Sequence, residues 1–228
     1  IHAYLFRRQI VEKIGGWIKK IVARNSLTEG RIRVTITRGN HGTTFGIEKR
    51  PTLVITCAPV TVNRSDYDKG IDADTIFAER LWPDIKSIGL TGRMLAARSS
   101  SPHGAREIIC IGAKNRVREG AFTNVFFVKN NRLLTPKIGH ILPGLTRKRV
   151  LALARKEGLR ITIKDFSTST LKHADEIFLT NRVREIIPVV RLNGKKVGSG
   201  RVGPVTKQLM AAYREYVQKY VKRQRARL

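Results

Sequence analysis

Lys86, in the stretch LWPDIKSIGL, follows an apolar Ile85 and precedes a small Ser87 where an extended segment is expected to give way to a helix. Desolvation disfavours the charged form of a lysine half-buried at such a junction and leaves a nucleophilic amine. In a chain so rich in lysine, one such residue taken alone is far more often just a solvated side chain. Glu119 stands in RVREGAFTNVFFV, between basic neighbours and a run that reads as a buried strand. The chain has 17 acidic residues against 45 Lys and Arg, so an acid at the mouth of an apolar segment implies a cation for it to meet. The third stretch is ILPGLTRKRV, in which Pro143 and Gly144 set a tight turn, Thr146 can cap, and a helix follows. Arg147, Lys148 and Arg149 in its first turn oppose the helix dipole, a conflict that an anion held by the outward amides would relieve. A surface helix in a basic protein accounts for that turn as well.

Each stretch is a weak signal by itself, but the set is specific. A lysine, a carboxylate and a phosphate cradle are what pyridoxal phosphate requires: the lysine forms a Schiff base, the acid keeps the ring nitrogen protonated so that the ring is an electron sink, and helix-end amides take the phosphate.

The elements that must position these residues follow from periodicity. QIVEKIGGWIKKIVARNSLTEG repeats apolar residues at Ile10, Ile14, Trp17, Ile18, Ile21 and Val22, which predicts a helix with Gly30 as its stop. RIRVTITRG alternates Ile32, Val34 and Ile36 with polar partners, and TLVITCAPV is a denser apolar run, so two strands complete a small α/β unit. The polar NRSDYDKGIDADT reads as a linker. The expected organisation is therefore a small N-terminal domain over 1–65, a linker over 66–76 and a larger domain over 77–228. In that larger domain strands are expected at REIICIG, AFTNVFFV, RLLTP, LRITI, DEIFLTN, REIIPVVRL and KKVGSG, and helices at SIGLTGRMLAAR, at Thr146 to Gly158, and in the terminal GPVTKQLMAAYREYVQKYVKR. The terminal helix sets Val205, Leu209, Tyr213, Tyr216, Val217 and Tyr220 on one face.

Composition bounds the function. At 228 residues and 41% hydrophobic the chain can bury a core, and no stretch is long and apolar enough to span a bilayer, so a cytoplasmic protein is expected. Cys57 and Cys110 lie in strand-like runs and read as buried reduced thiols; the five histidines lack metal-binding spacing, so no metal is expected. The net charge of +28 attracts polyanions, but no stacking aromatic set or zinc-finger spacing accompanies it, which leaves nucleic acid as a non-specific partner only.

Several segments resemble, in order, those of the class IV aminotransferases, the fold-type IV group that includes D-amino-acid and branched-chain aminotransferases and aminodeoxychorismate lyase. DIKSIGLTGRMLA is similar to the family's lysine segment, VREGAFTNVFFV to its Glu-Gly strand, ILPGLTR to its phosphate turn, ADEIFLTNRVREIIPV to its late strand pair and GPVTKQLMAAYREYV to its terminal helix. The resemblance runs from about Gly30 to about Val217. It implies a two-domain α/β (α+β) fold with a β-rich pseudo-barrel as the larger domain, pyridoxal 5'-phosphate as cofactor, and an amino acid and a 2-oxo acid as substrates, in a homodimer. Lys86 would be the Schiff-base lysine and the proton carrier, Glu119 the partner of the pyridine nitrogen, and the amides of Leu145 and Thr146 the phosphate ligands. Asn181 and Arg182 would lie at the cofactor, with Arg182 where the family usually has a small hydroxyl residue. Thr123, Phe122 and Thr43 would line the substrate, Thr43 and Phe45 standing where D-amino-acid enzymes carry Arg and His. The family's first segment, with its phosphate-gripping arginine, is expected to be missing before Ile1. The implied activity is transamination; the alternatives are the lyase reaction at the same site and a non-enzymatic basic relic that binds polyanions.

Overall fold

The computed structural model describes residues 8–37, 51–89 and 104–226. The chain forms two compact units, Ile1–Val62 and Asn63–Leu228. Among the described residues no helix is long and apolar enough to cross a membrane.

In the first unit, helix α1 (Arg8–Arg24) is followed by an antiparallel ribbon of β1 (Arg31–Ile36) and β2 (Leu53–Ala58), paired from Arg31 with Ala58 to Ile36 with Leu53. The helix stops well before Gly30, because Ser26 takes a left-handed conformation at φ +49°. Gly30 serves the ribbon instead: a Cβ there would stand 2.8 Å from the carbonyl oxygen of Ala58. Cys57 is half-buried, not fully enclosed as expected, whereas Cys110 is buried.

The second unit contains α2 (Ser65–Asp68), β3 (Ile71–Phe77), β4 (Glu107–Gly112), β5 (Arg116–Gly120), β6 (Asn124–Lys129) and β7 (Arg132–Thr135). Helix α3 (Leu145–Lys156), β8 (Arg160–Ile163), α4 (Thr168–Lys172), β9 (Glu176–Asn181), β10 (Glu185–Leu192), β11 (Lys195–Lys196) and α5 (Pro204–Arg225) follow. The strands form one mixed sheet in the order β5-β4-β3-β10-β9-β6-β7-β8, with β11 paired to β10. Strand β5 ends that order and β6 lies deep inside it, yet only residues 121–123 join them. The sheet must therefore curl to bring its edge back to β6, and that curl makes the half-barrel.

Alternation along β6 shows the two faces. Val125 and Phe127 pack into one apolar cluster with Ile109, Val117, Ile177 and Leu179, while Phe126 and Val128 pack into another with Val150, Leu151 and Leu209 of the helices. Phe126 stacks on Phe178 with ring centroids 5.0 Å apart.

Two expectations are corrected. The segment 66–76 is no linker: it holds most of α2 and nearly all of β3, which pairs in parallel with both β4 and β10. Two of its four acids are internal, Asp66 bonding Arg106 and Asp74 being 2% exposed, while Ile71, Ala73 and Ile76 enter the core and Asp68 stays exposed. The Glu-Gly strand is also two strands, broken at Gly120, whose amide donates to the carbonyl oxygen of Thr123 at 2.7 Å. Of the expected helix after Lys86, Ser87–Gly89 are irregular and 90–103 lie outside the described residues.

Candidate functional site

Three chain segments converge at one end of the half-barrel. The first runs irregularly from the end of β3 to Gly89. Within it the Ser87 amide donates to the carbonyl oxygen of Ile85 at 2.9 Å, closing a three-residue turn with Lys86 at its centre. Lys86 is exposed there, not half-buried at a strand-to-helix switch. The segment was read as switching to a helix, but the tight turn holds the side chain outward.

The second segment is β5. Its register against β4 shifts between Ile109, opposite Gly120, and Ile111, opposite Val117, so that Arg118 and Glu119 together face Cys110. This is a β-bulge, a device that re-aims side chains beside sites. Glu119 is 2% exposed, and its Oε1 accepts from Arg80 Nε at 2.9 Å. The neighbouring Arg118 turns to Glu79, donating from Nε at 3.3 Å and Nη2 at 3.1 Å. The Ala113 amide and Arg118 hold the Glu79 carboxyl below the ordinary carboxylate range.

The third segment is the turn into α3. Its Leu142 amide donates to Glu119 Oε2 at 2.8 Å. Asn124 Nδ2 donates to the Leu142 carbonyl oxygen at 2.8 Å and lies 3.5 Å from Glu119 Oε2, so one amide side chain ties the acid to the turn. Gly144 is required here, since a Cβ would collide with Asn124 Oδ1. Gly144 is also the N-cap of α3 in place of Thr146, and no side chain caps the helix. The first-turn amides are thereby left to face outward from the helix end. Leu145 is 80% exposed and Thr146 is buried.

Two of the three first-turn cations are engaged within the chain, while Lys148 is exposed. Arg147 folds inward, donating from Nη2 to the Pro136 carbonyl oxygen at 2.8 Å, and burial pushes its pKa down. Arg149 lies over the ring of Tyr216, 4.0 Å from its centroid. The cationic first turn therefore carries no argument for an anion; the uncapped amides do.

The remaining expected residues divide. Thr180 pairs with Asn124 across β9 and β6, which brings the β9–β10 turn beside this group. Asn181 Oδ1 is engaged in that turn, accepting from the amides of Val183 at 3.0 Å and Arg184 at 2.7 Å, and Arg182 is exposed. Asn181, expected at the cofactor, thus uses its side-chain oxygen to shape this turn. Phe122 is 51% exposed, while Thr123 is buried with Oγ1 lacking a partner, as does Thr180 Oγ1. Thr43 lies outside the described residues. Two residues with no role assigned from the sequence, Arg80 and Asn124, make most of the connections. Among the described residues no cluster of three His, Cys, Asp or Glu side chains could hold a metal.

The family model described as Amino-transferase class IV matches residues 11–192. The chain is 32% identical to a D-alanine aminotransferase of Staphylococcus haemolyticus, over 91% of this chain and 75% of that protein. A branched-chain amino acid aminotransferase of Escherichia coli superposes with a TM-score of 0.82 at 27% identity, over 92% of this chain and 73% of that one. The pyridoxal phosphate form of the branched-chain enzyme of Thermobaculum terrenum gives 0.77 at 28% identity, over 91% and 70%.

Proposed function

The chain belongs to the class IV aminotransferases, and from that premise we propose that Lys86, Glu119 and the N-terminus of α3 hold pyridoxal 5'-phosphate for transfer of an amino group between an amino acid and a 2-oxo acid. The observation that carries this reading is the direct bonding of the Glu119 carboxylate to the turn that opens α3, with Arg80 joining the same carboxylate to the Lys86 turn.

The residues fit that cofactor. Glu119 supplies a buried anion for a protonated ring nitrogen, the uncapped amides of Leu145 and Thr146 suit a phosphate dianion, and the exposed Lys86 amine is open to an aldehyde. The unpartnered Thr123 Oγ1 is a further polar atom at the Glu119 end. When bound, the cofactor supplies a carbonyl carbon that takes up the amino group and a ring that accepts the electrons released at the substrate Cα. Lys86 Nζ acts as the base that takes the Cα proton. The Glu119 carboxylate would face the ring nitrogen, held in place by Arg80, Leu142 and Asn124. The helix-end amides of Leu145 and Thr146 would hold the phosphate and so orient the cofactor.

Cytoplasmic location and homodimeric assembly belong to this same reading, the dimer resting on the family alone. The names of the relatives make D-alanine and branched-chain L-amino acids the donors to test first.

Lys86→Ala should reduce 2-oxo acid formation from a donor and 2-oxoglutarate by roughly 10² to 10⁴-fold, the usual worth of a positioned acid/base group. Because Lys86 is exposed, the thermal midpoint of the cofactor-free protein should not move. A Lys86→Ala enzyme that turns over at the wild-type rate would remove the assignment.

A further inference from the structure

Arg80 joins two parts of the site, the Lys86 turn and the Glu119 carboxylate. Its Nε donates to Glu119 Oε1 at 2.9 Å and its Nη1 to the carbonyl oxygen of Ile85 at 3.3 Å. That carbonyl also accepts from the Ser87 amide and closes the turn on which Lys86 stands. The Arg80 side chain is 10% exposed, so the link is shielded from water. We propose that Arg80 is a positioning residue, one planar guanidinium that fixes the separation between the Lys86 turn and the Glu119 carboxylate; this rests on the reading above that those two residues hold the two ends of the cofactor ring.

The neighbouring residues fix which residue meets which. Glu79 pairs with Arg118 while Arg80 pairs with Glu119, so the acid-base order of residues 79 and 80 is answered by the base-acid order of 118 and 119. A slip of one residue would set like charges together, which costs more in a shielded place than in water. The bulge at Arg118 and Glu119 presents both members to the Lys86 segment. The planarity of the guanidinium gives the pair its geometric content, because Nε and Nη1 belong to one rigid fork. A lysine ammonium carries the same charge but has no fork of fixed spacing, so Lys at position 80 separates charge from positioning.

Arg80→Lys and Arg80→Met are measured beside the wild-type full chain by absorbance titration with pyridoxal 5'-phosphate, by the pH midpoint of the visible band of the bound cofactor, and by trapping at Lys86 with borohydride. Arg80→Lys should raise the Kd about tenfold, the loss of one charge-assisted hydrogen bond, and should move the band's pH midpoint. Arg80→Met loses both arms and should raise the Kd about a hundredfold. Adding Glu119→Gln to Arg80→Met should then cost less than it does in the wild-type background, since the two side chains act as a unit. The proposal is overturned if Arg80→Met binds with the wild-type Kd and band, or if Arg80→Lys matches wild type in every reading. A wild-type protein that gives no band and no trapped Lys86 would instead overturn the cofactor reading itself, and the role of Arg80 with it.

Discussion

From Ile1 to Val62 no described side chain is buried, and Trp17, Ile32, Val34 and Val54 are 38 to 43% exposed. From Asn63 onward, Phe126, Phe127, Ile177, Phe178, Leu179 and Leu209 are all at 0 or 1%. Backbone pairing is present in both units: β1 and β2 keep register from end to end, and every strand of the larger sheet has a partner, with register shifts at β4–β5 and β3–β10. The difference therefore lies in the side chains. A two-stranded ribbon with one helix satisfies its backbone without removing much apolar surface from water, and such a unit is marginal by itself. The curled sheet buries both faces. Its rim supports the candidate site through polar side chains whose own packing is already determined.

The strongest way to break this contrast is at the centre of the larger unit. Phe178 is fully buried and stacked on Phe126, between the sheet and the helices. Phe178→Ala should destabilise the protein by about 3 to 5 kcal/mol, measured by urea unfolding. A loss below about 1 kcal/mol would mean that the face packed on the helices contributes little to holding the unit together.

The buried sheet also holds a carboxylate whose titration distinguishes the interior from the rim. Burial pushes the Glu107 carboxyl above its ordinary range, outweighing the Ile108 amide and the Arg184 guanidinium, which pull it down. Glu107 is nearly enclosed, with a side-chain exposure of 5%, whereas Arg184 is 31% exposed and partly screened. For an acid with a raised folded value, the folded state binds the extra proton. Its contribution to stability is complete below the ordinary carboxylate range and is lost as pH rises through the raised value. Glu107→Gln should remove that decline, by at most about 1.4 kcal/mol per pH unit for one proton. Urea midpoints of both proteins between about pH 4 and pH 8 would read it; parallel curves would contradict it.

The legible parts of the molecule were those where residue type alone constrains conformation or charge. Gly144 could be read as a turn because of Pro143 beside it, and the strands of the larger unit because their apolar runs have little else to be. Glu119 was conspicuous as a rare acid in a basic chain. By the same logic Arg80 was invisible: one arginine among 45 Lys and Arg carries no signal, and only the fold shows that it faces Glu119. Asn124 was hidden inside an apolar run, and its meaning depends on Leu142, far along the chain. The bulge at Arg118 and Glu119 is a property of register between two strands, which no single stretch of sequence contains. The segment 66–76 failed for the opposite reason, because its acids looked solvated and two of them, Asp66 and Asp74, are buried.

The smallest effect is expected in the first unit and tests the contrast most directly. Ile32 on β1 is 41% exposed, and its Cα partner across the ribbon is Cys57. Truncating a side chain that already meets water removes little buried area and leaves the backbone pairing of the ribbon in place, so Ile32→Ala should change stability by less than about 0.5 kcal/mol. The comparison with Phe178→Ala is made on the same urea curve, with the same slope expected for both variants. A shift at Ile32 comparable with that at Phe178 would mean that this face of the ribbon is covered when the protein is in solution, and the two units would then be held by the same means.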